Sequence, residues 1–251
     1  MTFAPVGIRC PEHASVGAPK RSPQRTVQQA RARTGALAAP AVVALVAANV
    51  IVYLITASQG GGPNQPGGSL FFDWALAGVA VANGDWYRLV TAMFLHGGLL
   101  HLAFNMLALW WLGSIVEQAI GTVRFLLVYF VSGLAGSAGA LLLTDPLQVT
   151  VGASGAIFGI MGALLILEYT ATGSLAGPAF TLIVINLALT FAIPNISIGG
   201  HLGGLAGGIA ATYALTRLRY VRPSFVAPAA VVAIGAASLL VAYVRVESYV
   251  F

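Results

Sequence analysis

The sequence predicts an all-α polytopic membrane protein, and three observations carry that prediction. Only 8% of the 251 residues are charged and 58% are hydrophobic, where an average soluble domain carries roughly a quarter charged residues. Apolar runs near the length of about 20 residues that crosses a bilayer as a helix recur seven times along the chain. The lysines and arginines between those runs fall almost entirely on one side of the implied membrane. So sparse a charge set cannot cover a water-soluble globule of this size. It excludes an ordinary soluble enzyme, a nucleic-acid binder and a disordered chain.

Taken in order, residues 1–34 form a polar, basic segment with Arg9, Lys20, Arg21, Arg25, Arg31 and Arg33. No short apolar core with a small-residue cleavage site precedes the basic run, so the segment reads as a mobile cytoplasmic tail and not as a signal peptide. Cys10 and His13 look like half of a zinc knuckle, but a structural zinc site needs four ligands and nothing nearby supplies the others. No metal and no cofactor are expected, and a lone cysteine makes no internal disulfide. The first span covers 35–57. A long segment at 58–95 follows. Its first part, 58–68, is rich in glycine and proline and reads as loop. From Leu70 to Arg88 it mixes Phe71, Phe72, Trp74 and Trp86 with Asp73, Asp85 and Arg88, which suits short helices lying in the headgroup layer. Further spans are expected at 98–116, 125–144, 153–170, 178–193, 200–218 and 225–244. Residues 35–220 thus form a six-span core, and 221–251 a linker with a seventh span.

With the N-terminus in the cytoplasm, the six basic residues of the tail, Arg124, and Arg217, Arg219 and Arg222 all lie inside. Only Arg88 and Arg245 then lie outside. Cytoplasmic flanks are the basic ones, so the N-terminus is placed inside and, with seven spans, the C-terminus outside. The alanine- and glycine-rich composition and short loops point to a prokaryotic plasma membrane.

Polar side chains within spans are costly and therefore informative. The acids Asp73, Asp85, Glu117, Asp145 and Glu168 all read as flank or loop residues, so no pair of carboxylates faces across two spans. That argues against an aspartyl protease and against a proton-coupled transporter. No His-Glu-x-x-His string offers zinc ligands. Spans two, four and six all run from outside to inside, and at their outer ends stand His96, His101 and Asn105, then Ser154, then His201. Rare polar groups from distant parts of the chain therefore meet at one depth.

A serine hydroxyl is a weak nucleophile without an adjacent base. His201 is the residue able to take its proton and return it to a leaving amine. Close approach of spans four and six is expected from Gly155 and Gly159 on one side. On the other stand two adjacent rows, Gly199, Gly203, Gly207 and Gly200, Gly204, Gly208, at the i, i+4 spacing that lets membrane helices touch. The N-terminal end of span four offers unpaired backbone N–H groups to a developing oxyanion. His101 and Asn105 share one face of span two and add side-chain donors. Each residue alone has a plainer reading, as a helix cap or as helix-to-helix glue. The combination favours a serine–histidine pair.

These residues resemble the rhomboid intramembrane serine proteases. Trp86 and Arg88 are followed by His96, His101 and Asn105 in the pattern H-x4-H-x3-N. Gly152-Ala153-Ser154-Gly155 looks like that family's G-x-S-G nucleophile motif, and His201 with Gly200 and Gly204 looks like its histidine and the glycine-rich helix behind it. The resemblance covers roughly 74–218. It implies a rhomboid-like six-helix core with one additional C-terminal helix, a 6+1 layout. It also implies Ser154 as nucleophile, His201 as general base and acid, and Ser154 N–H, His101 and Asn105 as the oxyanion hole. Tyr87 stands between Trp86 and Arg88, a departure from the family's adjacent tryptophan–arginine pair. Residues 192–197 would cap the site, and spans two and five would admit the substrate. The implied partners are transmembrane-helix substrates and the lipid bilayer, with no nucleic acid. The alternatives are a catalytically silent rhomboid-fold protein that binds or chaperones membrane helices, and a small-molecule transporter.

Overall fold

The computed structural model of the chain describes residues Thr2–Ala4, Gly7–Arg9 and 39–249. The first two segments are strands β1 and β2, paired antiparallel with Thr2 opposite Arg9 and Ala4 opposite Gly7. The sequence reading foresaw no pairing there. The register sets Phe3 opposite Ile8. Cys10 and His13, and the basic residues between 10 and 38, lie outside the described residues.

Everything described from Ala39 onward is helix and connection. Helix α1 is Pro40–Gln59. Short helices α2, Gly68–Trp74, α3, Gly78–Ala82, and α4, Arg88–Thr91, follow. Then comes Leu99–Ile120, built from α5, Leu99–Ala108, a π-helical stretch Leu109–Gly113, and α6, Ser114–Ile120. Helices α7, Thr122–Leu143, α8, Ser154–Thr172, α9, Pro178–Ala192, α10, Ile198–Arg217, and α11, Val226–Glu247, complete the unit. The predicted loop at 58–68 is shorter than expected. Ser58 and Gln59 belong to the last turn of α1, and Gly68 opens α2, whose φ of +82° there suits glycine.

Among the described residues, five helices are long and apolar enough to cross a membrane by length and composition: α1, Leu99–Ile120, α7, α8 and α11. Helix α9 is apolar but has only 15 residues. Helix α10 has 20 residues, and its glycines lower its hydropathy. Large apolar side chains such as Leu54, Leu100, Phe104, Leu107 and Leu240 stand exposed on the outer surface. In water such a surface would drive aggregation. Against lipid tails it is the compatible surface, and the chain is an integral membrane protein.

Glycine decides the packing at the centre. Helix α10 turns Gly204 and Gly208 of one row toward α8: a Cβ on Gly204 would stand 1.9 Å from the Gly155 carbonyl oxygen, and one on Gly208 2.1 Å from that of Gly159, while one on Gly200 would meet the Ser197 hydroxyl oxygen at 2.9 Å. The second row faces α7 instead. A Cβ on Gly199 would lie 2.0 Å from the Gly139 carbonyl oxygen, and one on Gly203 2.3 Å from that of Ala135. The expectation that both rows serve the contact with span four is therefore corrected. Residues one apart on a helix point about 100° apart, so adjacent rows reach two different neighbours. Helix α10 is wedged between α7 and α8 at backbone contact.

Two acids thought to sit in flanks are built into the bundle. Helix α1 begins after Ala39, which has no capping side chain, and Glu117 of α6 takes over that role. Its Oε1 accepts from Ala41 N–H at 3.0 Å and from the Thr122 hydroxyl at 2.8 Å, and its Oε2 accepts from Val42 N–H at 2.9 Å. Glu168, near the end of α8, does the same for α9, accepting from Ala179 N–H at 3.0 Å behind Pro178. Prolines at Pro40 and Pro178 leave no first-turn N–H of their own to satisfy.

Candidate active site

The loop before α8 holds Ser154 at a fixed height. Leu76 and Thr150 exchange both backbone hydrogen bonds, at 3.1 and 2.8 Å, and Gly152 N–H donates to the Ala92 carbonyl at 2.9 Å. Gly152 has φ +127°, and a Cβ there would meet His101 Nε2 at 2.8 Å. Glycine is needed at that position both for its backbone angle and for the space its missing side chain leaves. Ala153 occupies the N-cap position and makes no side-chain cap, so the Ser154 hydroxyl is not used as a cap. It faces His201 instead, with Oγ 2.9 Å from Nε2.

His201 sits in the first turn of α10. Ser197 caps that helix by accepting from Gly200 N–H at 3.1 Å, and Asn195, at φ +65°, turns the chain from α9 into it. The imidazole is buried and held on three sides. Phe158 stacks on its face at 4.1 Å between centroids, with planes 22° apart. Ser154 meets Nε2, and the Thr190 hydroxyl of α9 lies 2.7 Å from Nδ1.

His101 stands across the serine. Its Nδ1 accepts from Gly97 N–H at 3.3 Å, so the ring proton of the neutral form sits on Nε2, the nitrogen beside Gly152. Asn105 is one turn further along α5. One of its amide hydrogens is already committed to the His101 carbonyl at 2.8 Å, which leaves the second for a ligand. His96 lies in the loop before α5 and is fully buried. Its ring meets that of His101 edge-on at 5.1 Å, and neither of its nitrogens has a hydrogen-bond partner among the described residues.

All these groups except His96 line one cavity of about 960 Å³. Its walls are Phe104, Leu107 and Trp111 from the α5 side and Leu182 and Leu189 from α9, with Asn195 to Ser197 at its edge. It is mostly apolar and holds a few convergent polar groups, the usual make-up of a ligand site. The π-helical turn at Leu109–Gly113 lies along this wall, and such turns are frequent at functional sites.

Trp86 and Arg88 do not act as a pair. Arg88 binds the connection after α2, donating to the Phe72 carbonyl at 2.5 Å, the Ala75 carbonyl at 2.9 Å and the Asp85 carboxylate at 2.9 Å. Trp86 stacks on Tyr243 of α11 at 6.2 Å. With Tyr87 between them, the two side chains point to different neighbours. Sequence reasoning missed Phe158, Thr190 and the α7 side of the glycine packing. Phe158 could have been found, because it lies one turn beyond Ser154 on the same helix face. Thr190 carried no signal, since only the turn from α9 into α10 brings it to the ring.

Comparison with known proteins adds an independent finding. A Rhomboid domain matches residues 83–218, just over half of the chain. Rhomboid protease GluP of Bacillus subtilis (strain 168) is 38% identical over 177 residues, 68% of this chain and 34% of that protein. RHOMBOID-like protein 5 of Arabidopsis thaliana is 37% identical over 165 residues, 61% of this chain and 53% of that protein. The chain thus spans between a third and about half of the length of these relatives.

Proposed function

The chain belongs to the rhomboid family, and on that premise we propose that it is an intramembrane serine endopeptidase that cleaves a peptide bond in or near a substrate's transmembrane segment. The observation that carries the reading is the 2.9 Å contact of Ser154 Oγ with His201 Nε2 inside the apolar cavity.

The chemistry follows from these positions. His201 Nε2 takes the hydroxyl proton as Ser154 Oγ bonds to the scissile carbonyl carbon. The oxygen that gains the negative charge is met by the first N–H groups of α8, which have no partner within the helix, and by His101 Nε2–H and Asn105. The C–N bond then breaks, and the imidazolium returns the proton to the leaving amine. A water molecule reverses the sequence on the acyl ester and frees the serine. A substrate helix must unwind locally first, because its own hydrogen bonds shield the carbonyl. Cleavage should therefore favour small residues at the bond and helix-weakening residues nearby. The charge bias supports a cytoplasmic N-terminus, an external C-terminus and a site near the outer face, a depth at which water reaches the ester, and the alanine- and glycine-rich composition supports a prokaryotic plasma membrane.

The test uses purified protein with a model transmembrane substrate, read as fragments on a gel. Ser154→Ala and His201→Ala should each lower kcat by roughly a thousandfold or more, the scale of losing a member of a catalytic unit. Ser132→Ala should leave cleavage intact, since Ser132 does not line the cavity and its buried hydroxyl has no hydrogen-bond partner among the described residues. Full cleavage by the Ser154 variant would end the nucleophile assignment, and no cleavage by the wild type would favour a silent rhomboid-fold binder.

A further inference from the structure

Among the described residues His201 has no carboxylate partner in its side-chain hydrogen bonds; there its ring nitrogens meet only Ser154 and Thr190. An imidazole can act as base toward the serine only if Nε2 carries the lone pair, and which nitrogen is protonated is set by the bond the other makes. We propose that Thr190 is the positioning residue that sets this tautomer, accepting the His201 Nδ1 proton and thereby turning the Nε2 lone pair toward Ser154. This inference rests on the serine-protease reading of the same site.

The argument is one of proton counting. The Thr190 hydroxyl lies 2.8 Å from the Asn186 carbonyl, one turn back on α9, and 2.7 Å from His201 Nδ1. A carbonyl only accepts, so the single hydroxyl hydrogen of Thr190 goes to Asn186. The contact with Nδ1 is then filled by the imidazole's own N–H. A neutral ring has one such hydrogen, so Nε2 is bare and accepts from the Ser154 hydroxyl. Asn186, Thr190, His201 and Ser154 form three hydrogen bonds running in one direction. The reversed assignment, with Thr190 donating to Nδ1, forms only two and leaves Nε2–H pointing at the serine, where it cannot remove a proton. Burial makes the difference count. Thr190 is 2% exposed and His201 8% exposed, so water cannot readily replace the missing bond. Phe158 holds the plane of the ring, and Thr190 holds its proton.

The experiment uses the full chain in bicelles, with ¹⁵N-labelled histidine and the variants Thr190→Val and Thr190→Ser. His201→Gln identifies the His201 ring signals by their loss. Wild type should show a protonated Nδ1 and an unprotonated Nε2. Thr190→Val, which keeps the shape and loses the oxygen, should shift the ring toward the other tautomer. It should also lower kcat at least about tenfold with KM unchanged, up to the roughly hundredfold or more that a general base contributes. Thr190→Ser should restore both the spectrum and the rate. A wild-type ring protonated on Nε2, full kcat in Thr190→Val, or failure of the serine to rescue would each overturn the proposal. The nitrogen spectrum reports the tautomer whether or not any substrate is cut. Failure of the protease reading, seen as cleavage that survives Ser154→Ala, is thus told apart from failure of this one.

Discussion

Gly152 meets two demands, a positive φ and an empty space against His101 Nε2, and a substitution can separate their effects. Gly121 shares the positive φ, at +86°, but has nothing within 4 Å of where a Cβ would stand. Alanine at Gly121 should therefore cost only the backbone strain, about 1 kcal/mol, with cleavage intact. Alanine at Gly152 should also displace His101 from its proposed oxyanion-binding position and lower kcat about a hundredfold. Equal rates in the two variants would show that the His101 contact is immaterial. His96, in the loop before α5, is a second single-residue case. Burial, and then the neighbouring His101 ring, push it down from 6.5 to about 3 against a weaker counter-pull from the Phe94 backbone. The unfolded chain takes up this proton at a higher pH than the folded one, so the contribution is complete above pH 6.5 and is lost as pH falls toward 3. Thermal melts across that window should show stability falling on the acid side, and His96→Leu should flatten the slope. An unchanged slope would assign the acid sensitivity to other groups.

At the scale of elements, the first turns of α1 and α9 depend on acids from other helices. Glu117→Ala removes the acceptor for two backbone N–H groups and should cost about 1–2 kcal/mol, as a lost cap does. Glu117→Gln keeps one oxygen and should cost less, and melting temperatures of the two variants in one detergent order them. An equal loss in both would point to the charge as the contributor, not the acceptor geometry. The α8–α10 contact is stiffer still. Alanine at Gly204 needs the Gly155 carbonyl to retreat by more than an ångström from a 1.9 Å approach, so the two helices carrying Ser154 and His201 must separate. The expected result is a loss of at least the 1–3 kcal/mol typical of overpacking, with activity falling in parallel. A stable, active Gly204→Ala would show that the helices tolerate a wider spacing.

Across the whole molecule, α11 binds the outer side of α7 and the loop region together. Tyr243 stacks on Trp86, and Arg245 Nε and the Tyr249 hydroxyl both donate to the Leu141 carbonyl, at 3.1 and 2.9 Å. If the aromatic pair ties the loop to this helix, Trp86→Ala and Tyr243→Ala should be non-additive by about 1 kcal/mol in a double-mutant cycle. Strictly additive losses would mean that the rings only fill space.

The sequence alone determined that this is a membrane protein whose apolar runs are helices, because a residue's hydropathy acts over a local run and needs no tertiary partner to be read. It also placed Ser154, His201 and His101 at helix starts, with Asn105 one turn further along, and marked the glycine rows of α10, since periodicity along one helix is local too. Tertiary structure alone decided which neighbour each row meets, sending Gly199 and Gly203 to α7 and Gly204 and Gly208 to α8. It also turned Glu117 and Glu168 from flank residues into caps, separated Trp86 from Arg88, and brought Thr190 to the imidazole. Those outcomes depend on how helices are rotated and set against one another, and contacts between distant segments are fixed by three-dimensional packing that no local pattern encodes.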